Sequence, residues 1–308
     1  MQSGDSIRRR IKLHDLEVLL AVVKAGSMSK AAVVLNTTQS AISRSIADLE
    51  DTIGLRLLDR SSQGVEPTQY GRALLRRGTV VFDELTQGIQ EVESLSNPEV
   101  GEVRIGAAPA QSEGIVLAVI DQLSRRYPRM IFHVFAVATP AIYEELRQRR
   151  VELGFVRMTG ALSEEDLQQE FLLEESLAVV TGLDSPWTRR RKIKLADLLH
   201  EPWTWPAALD SFVIEAFRAS GLEAPRASVY ADAINMRTRL AAGGRFLAVV
   251  PASILRFPAR HATLKILPVE LPGAHLRIGI ITVKNRTLGP VARLFVEHAR
   301  EVAGRQGK

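Results

Sequence analysis

Hydrophobic residues recur at every third or fourth position in the first part of the chain, which predicts helices there. The run LHDLEVLLAVVKAG carries one apolar stripe, formed by Leu16, Leu19, Leu20 and Val23. Gly26 follows this run and is predicted to end the first helix. Ser29 is predicted to cap a short second helix that stops near Asn36.

A third helix is predicted to begin after Thr38, with Ile42, Ile46 and Leu49 on its buried side. Two helices joined by two or three residues form the helix-turn-helix pattern. The opposite side of the third helix carries small hydroxyls, an amide and a guanidinium, where a solvent-facing helix more often carries Glu and Lys. This composition indicates a surface that contacts a partner, formed by Gln39, Ser40, Ser43 and Arg44.

The next segment is predicted to form a hairpin and then a long helix. LRLLDR, SSQG and VEP are typical of strand, turn and strand, and Thr68 is placed to cap a helix that runs to about Ser96. Asn97-Pro98 is predicted to close this segment. The helix carries a coiled-coil seam, which predicts a dimer interface at Leu75, Phe82, Leu85, Ile89 and Val92, with Gly78 on the same stripe. The alternative that this helix lies on its own domain stays open.

From residue 101 onward the pattern changes to strands that alternate with helices. VRIGA, IFHVFAV and VELGFV are predicted strands with helices between them, which gives a βαβαβ unit and a parallel sheet. A second set begins at SLAVVTG and includes FLAVVP, and the chain ends on the strand LRIGIITVK and one more helix. No long linker separates the sets, so we expect two α/β subdomains with a cleft between them.

Composition narrows the classes of protein that fit this pattern. The 308 residues include no cysteine, which excludes disulfides and thiolate metal sites. Apolar runs such as IVLAVI are far shorter than the roughly 20 residues of a membrane span, and the basic start MQSGDSIRRRIKLHD lacks the apolar core of a signal peptide. We therefore expect a cytoplasmic protein without a membrane partner.

The charge distribution bears on DNA binding. The net charge is +5, yet residues 1–97 contain 12 Lys/Arg and 12 Asp/Glu, so that the helical segment is neutral. Any DNA binding by this segment therefore depends on where single charges are placed.

Several motifs of this sequence resemble those of one known family. The run from LEVLLAVVKAGSMSKAA to GLRLLDR, followed by VEPTQYG, resembles the winged helix-turn-helix of LysR-type transcriptional regulators. RRKIKLADLLHEPW and LAAGGRFLAVVPAS are similar to the effector-binding domain of that family. Two features depart from it: Ser40 stands where the family usually has Pro, and residues 149–152 replace a Gly-Glu-Leu-Asp run.

The resemblance implies an α/β protein with three parts. These are a winged helix-turn-helix at residues 1–70, a linker and dimerisation helix at 68–97, and an effector-binding domain at 98–308. The last would have periplasmic-binding-protein-like architecture, with subdomain I at 98–168 and 277–308 and subdomain II at 169–276. The implied partners are a pseudo-palindromic operator in double-stranded DNA, a small-molecule inducer and further copies of the chain in a dimer or tetramer. RNA polymerase stays open as a further partner.

The outward face of the third helix suits the major groove of DNA. Gln39 can pair with adenine, and Arg44 can fork onto guanine O6 and N7. Thr38, Ser40 and Ser43 are placed to reach bases or phosphate. Arg60 in the hairpin is a candidate phosphate contact. The alternatives are ion pairs, of Arg44 with Asp48 and of Arg60 with Asp59 or Glu66.

The resemblance also places an inducer cleft at loops that follow strands. The candidate effector residues are Ala110, Gln111, Thr139, Pro206 and Ala207, with Ile234 and Phe246 as walls. A carboxylated or hydroxylated metabolite suits such a site, and Thr139 has helix capping as its alternative role. No cofactor or metal is expected.

Two other classes of protein fit the sequence less well. An enzyme is disfavoured, because GxSxG, GxGxxG and GxxxxGK motifs are missing and the 6 histidines are scattered without ligand spacing. A solute-binding protein shares the cleft architecture but not the N-terminal helices.

Overall fold

The structure, a computed structural model, describes residues 10–61, 64–96, 100–160, 162–256, 263–273 and 275–304. The chain forms two compact units, Met1–Ile89 and Gln90–Lys308, each with its own hydrophobic core. The tip of the predicted hairpin, at residues 62–63, and the predicted boundary at Asn97-Pro98 lie outside the described residues. In the described part of the chain, no helix is long and apolar enough to cross a membrane.

The first unit contains the predicted helices and hairpin. Its elements are α1 (Leu13–Ala25), α2 (Met28–Val34), α3 (Gln39–Ile53), β1 (Leu58–Ser61) and β2 (Gly64–Pro67). As predicted, α1 ends at Gly26, which has a left-handed φ of +69°. Ile42, Ile46 and Leu49 of α3 are buried in the core of this unit, which confirms the predicted inner side.

Two details of the first helices differ from the prediction. Ser27, not Ser29, caps α2, because the Ser27 hydroxyl oxygen accepts the Lys30 N–H at 3.2 Å. The fully buried residues of α1 are Val18, Leu19 and Val22. Leu16 and Leu20 of the predicted stripe face Gly78 instead, where an added β-carbon would lie 3.9 Å and 4.0 Å from their side chains. The first helix therefore packs on two sides.

The long helix α4 (Gln69–Ser96) divides the predicted seam into two halves. Leu75 packs against the core of the first unit, Gly78 is covered by α1, and Phe82 is half-buried. Leu85, Ile89 and Val92 are 46%, 53% and 64% exposed. The first half of the stripe thus packs on its own domain, as the open alternative held, and the second half is exposed within the described chain.

Gly71 lies at a close approach between α4 and the hairpin. A β-carbon there would lie 2.1 Å from the Leu57 carbonyl oxygen, which is backbone and cannot rotate away. We expect Gly71→Ala to destabilise the first unit by about 1–3 kcal/mol, as overpacking does. Gly88→Ala is the control, since nothing lies within 4 Å of that position and alanine favours an exposed helix by about 0.5–1 kcal/mol. Urea denaturation of both variants is the measurement, and equal midpoints would contradict this explanation.

The second unit begins with the predicted βαβαβ arrangement. Strands β3 (Val100–Ala107), β4 (Arg129–Ala136) and β5 (Leu153–Met158) pair in parallel, with β3 in the middle. The helical segment α5 joins β3 to β4 and consists of Pro109–Gln111, a π-helical turn at Ser112–Val116, and Leu117–Arg126. Helix α6 (Thr139–Arg147) joins β4 to β5.

One long strand, β6 (Leu167–Gly182), connects the two subdomains. It pairs with β11 (His275–Val283) over residues 167–176 and with β9 (Leu247–Pro251) from Leu177 onward. Strands β7 (Trp203–Trp205) and β8 (Val229–Tyr230) extend the second sheet in parallel with β9, and β10 (Leu264–Ile266) pairs with the end of β6. The predicted subdomain boundary after residue 168 falls inside β6.

The remaining helices are α7 (Asp210–Ala219), α8 (Ile234–Ala242), α9 (Ser253–Arg256) and α10 (Pro290–Gly304).

The strand register sets which ends of the strands meet. Pro251 pairs with Leu177, Ser176 pairs with His275, and Arg277 pairs with Met158. The carboxyl ends of the parallel strands of both sheets therefore face the point where β6 changes partner, which is the edge where ligands bind in open α/β sheets.

Candidate nucleic-acid interface and ligand cleft

The outward face of α3 is built from its capped first turn. The Thr38 hydroxyl oxygen accepts the Ala41 N–H at 3.2 Å, and the Thr38 and Ser40 hydroxyls lie 3.0 Å apart. Thr38, Gln39, Ser40 and Arg44 are exposed, and Ser43 is half-buried. Free N–H groups of this first turn point away from the helix, so its amino end can receive a phosphate.

Two side chains on this face differ in whether they already make a polar contact within the protein. The Gln39 amide oxygen accepts the Ser29 hydroxyl at 3.0 Å, and the amide NH₂ of this exposed residue remains available as a donor. Within the described residues Arg44 makes no salt bridge, so its alternative ion pair with Asp48 is not formed. The face therefore presents an amide donor and an unpaired guanidinium.

Arg60 lies on β1 of the hairpin. It is exposed and stands opposite Val65, while Asp59 stands opposite Glu66. Neither alternative ion pair of Arg60 occurs in the part of the chain that the structure describes.

The candidate effector residues lie mostly at the carboxyl ends of the strands. Ala110 and Gln111 start α5, and Gln111 is buried. Pro206 and Ala207 follow β7 directly. Ile234 starts α8 and is a buried core residue, and Ala110 of the other subdomain packs against the cluster that contains it. Ala110 and Ile234 therefore belong to one apolar cluster that both subdomains contribute to.

Thr139 is half-buried at the first position of α6. The residue that caps α6 is Ala138, and no side chain makes the capping hydrogen bond. The alternative role that the sequence suggested for Thr139, capping, is therefore wrong, because the helix starts one residue earlier than that role needs. Its hydroxyl makes no hydrogen bond to another side chain or backbone group among the described residues.

Phe246 is not brought to the same place. It precedes β9 at the end remote from Pro251, roughly 16 Å away at the rise of a strand. Its carbonyl oxygen accepts the Thr181 hydroxyl at 3.2 Å, and the Arg245 guanidinium lies 5.6 Å from its ring centroid. A role for Phe246 as a wall of the cleft has no support from this position.

The sequence reasoning missed Arg157 near the end of β5. Its Nη1 donates to the Ala208 carbonyl oxygen at 2.8 Å, and its Cζ lies 5.3 Å from the Phe212 ring centroid. Arg157 thus contacts the loop after β7 from the other subdomain. The sequence feature that could have identified Arg157 is the string GFVRM, in which a charged residue lies near the end of an otherwise apolar strand.

The described residues contain no group of three or more His, Asp or Glu side chains placed to hold a metal ion. A surface depression of about 780 Å³ is lined by residues such as Ile193, Leu222 and Val269, and by none of the candidate effector residues.

Two family models match the chain. Residues 13–72 match the bacterial regulatory helix-turn-helix protein of the lysR family. Residues 96–304, which are more than half of the chain, match the LysR substrate binding domain. The protein therefore belongs to the LysR family of DNA-binding transcriptional regulators.

Individual relatives agree with this assignment over nearly the whole length. The chain is 27% identical to YdcI of Escherichia coli K12, an uncharacterized HTH-type transcriptional regulator, over 98% of this chain and 99% of that protein. Its fold is similar to that of a full-length OxyR variant from Pseudomonas aeruginosa, with a TM-score of 0.64 and 19% identity over 95% and 97% of the two chains. It is also similar to full-length CbnR in complex with its target DNA, with a TM-score of 0.56 and 22% identity over 95% and 100%.

Proposed function

We propose that this regulator reads a specific operator through the exposed face of α3 and that a small molecule bound between its two α/β subdomains controls it. The observation that carries the proposal is Arg44. It is exposed, it has no salt bridge within the described residues, and it shares its helix face with Gln39 and Ser40. An arginine on such a face, with a guanidinium that makes no salt bridge, is suited to donate two hydrogen bonds to a guanine in the major groove.

The other members of the face have supporting roles in this proposal. Gln39 donates its amide NH₂ to a base acceptor, and Thr38, Ser40 and Ser43 contact bases or phosphates near the amino end of α3. Arg60 binds a backbone phosphate beside the groove. The CbnR structure contains target DNA, which supports DNA as the partner of this helix-turn-helix.

A dimer formed through α4 would present two such faces. Leu85, Ile89 and Val92 form an exposed apolar stripe that a second copy of the helix would cover. Two copies related by a twofold axis require a pseudo-palindromic site. We propose residues 1–70, 68–97 and 98–308 as the DNA-binding, dimerisation and effector parts.

In this proposal the protein acts by binding DNA and a small molecule, without catalysis. YdcI, the relative named above, is an uncharacterized HTH-type transcriptional regulator. The carboxyl ends of the strands hold Ala110, Thr139, Pro206 and Ala207, none of which is an acid, base or nucleophile of high reactivity. DNase footprinting of the region upstream of the protein's own gene tests the proposal. We expect a protected segment that changes when an inducing metabolite is added, and uniform protection of all DNA would contradict it.

Thr139→Val is expected to weaken the response to the inducer and to leave operator binding unchanged. The free hydroxyl at the start of α6 is proposed to bind the ligand, and loss of its hydrogen bond leaves a ligand group unpaired at about 1–3 kcal/mol, or about 5- to 150-fold in affinity. The measurement is the inducer concentration that gives a half-maximal change in DNA binding.

Thr287→Val is the matched control, because Thr287 is exposed in another loop of the same unit. Since Ala138 is the capping residue, Thr139→Val should keep the stability of wild type within about 0.5 kcal/mol. A variant with wild-type inducer sensitivity would remove Thr139 from the site.

A further inference from the structure

Five cations lie within six residues in the segment that joins β6 to β7. The sequence there is SPWTRRRKIKLA, without an acidic residue between Asp184 and Asp197. These five residues, called the basic run from here on, are Arg189, Arg190, Arg191, Lys192 and Lys194. Without them the 40 Lys/Arg of the chain would fall to 35 and would equal its 35 Asp/Glu. The basic run therefore accounts for the whole net charge of +5.

The segment that carries the basic run is anchored to the second unit. Ile193 and Leu195 are buried in the core of that unit. The Asp197 carboxylate accepts the Lys194 N–H at 2.9 Å. The backbone is extended at Arg190 and at Lys194, so that buried and exposed side chains follow each other closely along the segment. The basic run is therefore a fixed part of the protein surface.

The side chains of the basic run are exposed and have no carboxylate partner. None of the five makes a salt bridge with any residue that the structure describes. Exposed arginines elsewhere in the same unit do have such partners, for example Arg125 with Asp121 and Arg218 with Glu215. The basic run thus presents adjacent like charges that are not neutralised within the described chain, and an external polyanion would relieve their repulsion.

Three members of the basic run lie on the same side of the protein. Arg191, Lys192 and Lys194 all border the surface depression of about 780 Å³. Along an extended backbone, the Cα atoms of Lys192 and Lys194 are roughly 6.6 Å apart. A row of separate cations suits a repeating anion better than it suits a single small one. Duplex DNA has this property, because it carries one negative charge per about 1.7 Å of its axis.

DNA is also the polyanion that this protein family binds through its helix-turn-helix, which matches residues 13–72 here. Residues 1–97, which include that motif, have no net charge. Contacts of Lys and Arg with phosphates supply the affinity for DNA that does not depend on sequence. The charge balance of the first 97 residues leaves room for a second region of the chain that supplies such contacts.

We propose that the basic run binds the phosphate backbone of duplex DNA and adds a sequence-independent contact to the reading of bases by α3. Phosphate contacts hold a protein on the duplex without distinguishing its sequence. The inference goes beyond the proposed function, because it gives the second unit a DNA contact that involves neither α3, the α4 stripe nor the cleft.

The first test is the salt dependence of DNA binding by a full-length variant that combines Arg191→Gln, Lys192→Gln and Lys194→Gln. Each phosphate contact contributes about 0.9 to the slope of log affinity against log salt concentration. Loss of three contacts should make the slope shallower by about 2.7. Between about 50 and 200 mM salt, wild type should therefore lose roughly 40-fold more affinity than the variant. The change should be the same on operator DNA and on an unrelated duplex of equal length.

Two control variants distinguish a local contact from net charge and from misfolding. The first removes the same charge from three separate exposed positions, by Arg126→Gln, Arg226→Gln and Arg239→Gln. The second keeps the charge of the basic run, by Arg191→Lys, Lys192→Arg and Lys194→Arg. Both controls should retain the wild-type slope, and the melting temperatures of all three variants should match that of wild type, because the changed side chains are exposed.

The second test locates DNA directly. Because the chain contains no cysteine, Lys192→Cys introduces a single thiol, to which an iron–EDTA group that cuts nearby DNA can be attached. We expect cuts at defined positions of an operator duplex. The same group attached through Arg226→Cys, at another exposed position of the second unit, should leave the duplex intact.

Each outcome supports or overturns the inference. A wild-type slope in the Gln variant of the basic run, or an uncut duplex with the group at position 192, overturns it. Equal flattening by the scattered Gln control also overturns it, since net charge alone would then be responsible. If the Gln variant of the basic run keeps the wild-type slope but loses binding to poly-L-glutamate, the basic run binds an acidic protein and not DNA.

The inference and the proposed function can fail separately. Arg44→Ala should relax the preference at one base pair and leave the dependence of the slope on the basic run unchanged. If wild type shows no base preference but its slope still depends on the basic run, the proposed reading by α3 fails and the phosphate contact of the second unit stands.

Discussion

An alanine in place of Arg44 is expected to weaken binding to the operator by about 1–3 kcal/mol and to relax preference at one base pair. The reason is the exposed, unpaired guanidinium on the outward face of α3, which can make a bidentate contact to a single guanine. Because Arg44 is exposed and is not part of the core of the first unit, the fold and the oligomeric state should be retained. Binding of full-length protein to operator variants with each base pair changed is the measurement.

Arg76→Ala is the matched control for Arg44→Ala. Arg76 is an exposed residue of α4 and carries the same charge. Equal weakening of all sequences by Arg44→Ala would make Arg44 a phosphate contact and would refute its role in base recognition. An unfolded variant would make the residue structural.

Ile89→Asp is expected to separate the oligomer into monomers. Ile89 is 53% exposed in the single chain, so the substitution should not disturb either unit, yet in a paired α4 it would bury a carboxylate without a partner, which is strongly unfavourable. Sedimentation velocity measures the oligomeric state. Binding to paired half-sites should fall roughly 100-fold or more, since the two contacts no longer act together.

A matched control distinguishes a buried charge from a charge alone. Arg77 is exposed on α4, roughly 120° around the helix from Ile89, so Arg77→Asp should remain a dimer. If Ile89→Asp also remains a dimer at low micromolar concentration, the second half of the stripe is not the main interface.

Local signals explain why α3 could be predicted so well. Thr38 caps it, Gly54 ends it with a left-handed φ of +76°, and Ile42, Ile46 and Leu49 define its inner side. All of these depend on residues within one helix. The same holds for the β3–β5 arrangement, where buried runs alternate with amphipathic helices.

Features that depend on tertiary contacts were harder to predict. Ser27 and Ser29 are equally good caps in sequence, and only the backbone path selects Ser27. The first half of β6 was missed because polar residues such as Gln168, Gln169 and Glu170 interrupt its apolar pattern, while pairing with β11 extends the strand. The split of the α4 stripe depends on Leu16 and Leu20, which are distant in sequence from Gly78.

The residues of the cleft were also hard to predict from the sequence, because they too depend on tertiary contacts. Its residues come from loops after separate strands, and nothing in the sequence near Arg157 indicates that it contacts Ala208. Phe246 and Pro251 belong to the same apolar run, and only the direction of β9 places them at opposite ends of the second sheet.

The most direct test of DNA reading by α3 is selection of bound sites from a random DNA library by the full-length protein. Sequence-specific recognition by a symmetric pair of α3 helices predicts two inverted half-sites, with centres separated by about one helical turn of 34–36 Å or a multiple of it. Arg44→Ala should lose one conserved base pair from each half-site. Selection of a single half-site would contradict the dimer, and recovery of sequences without any shared pattern would contradict specific recognition by α3.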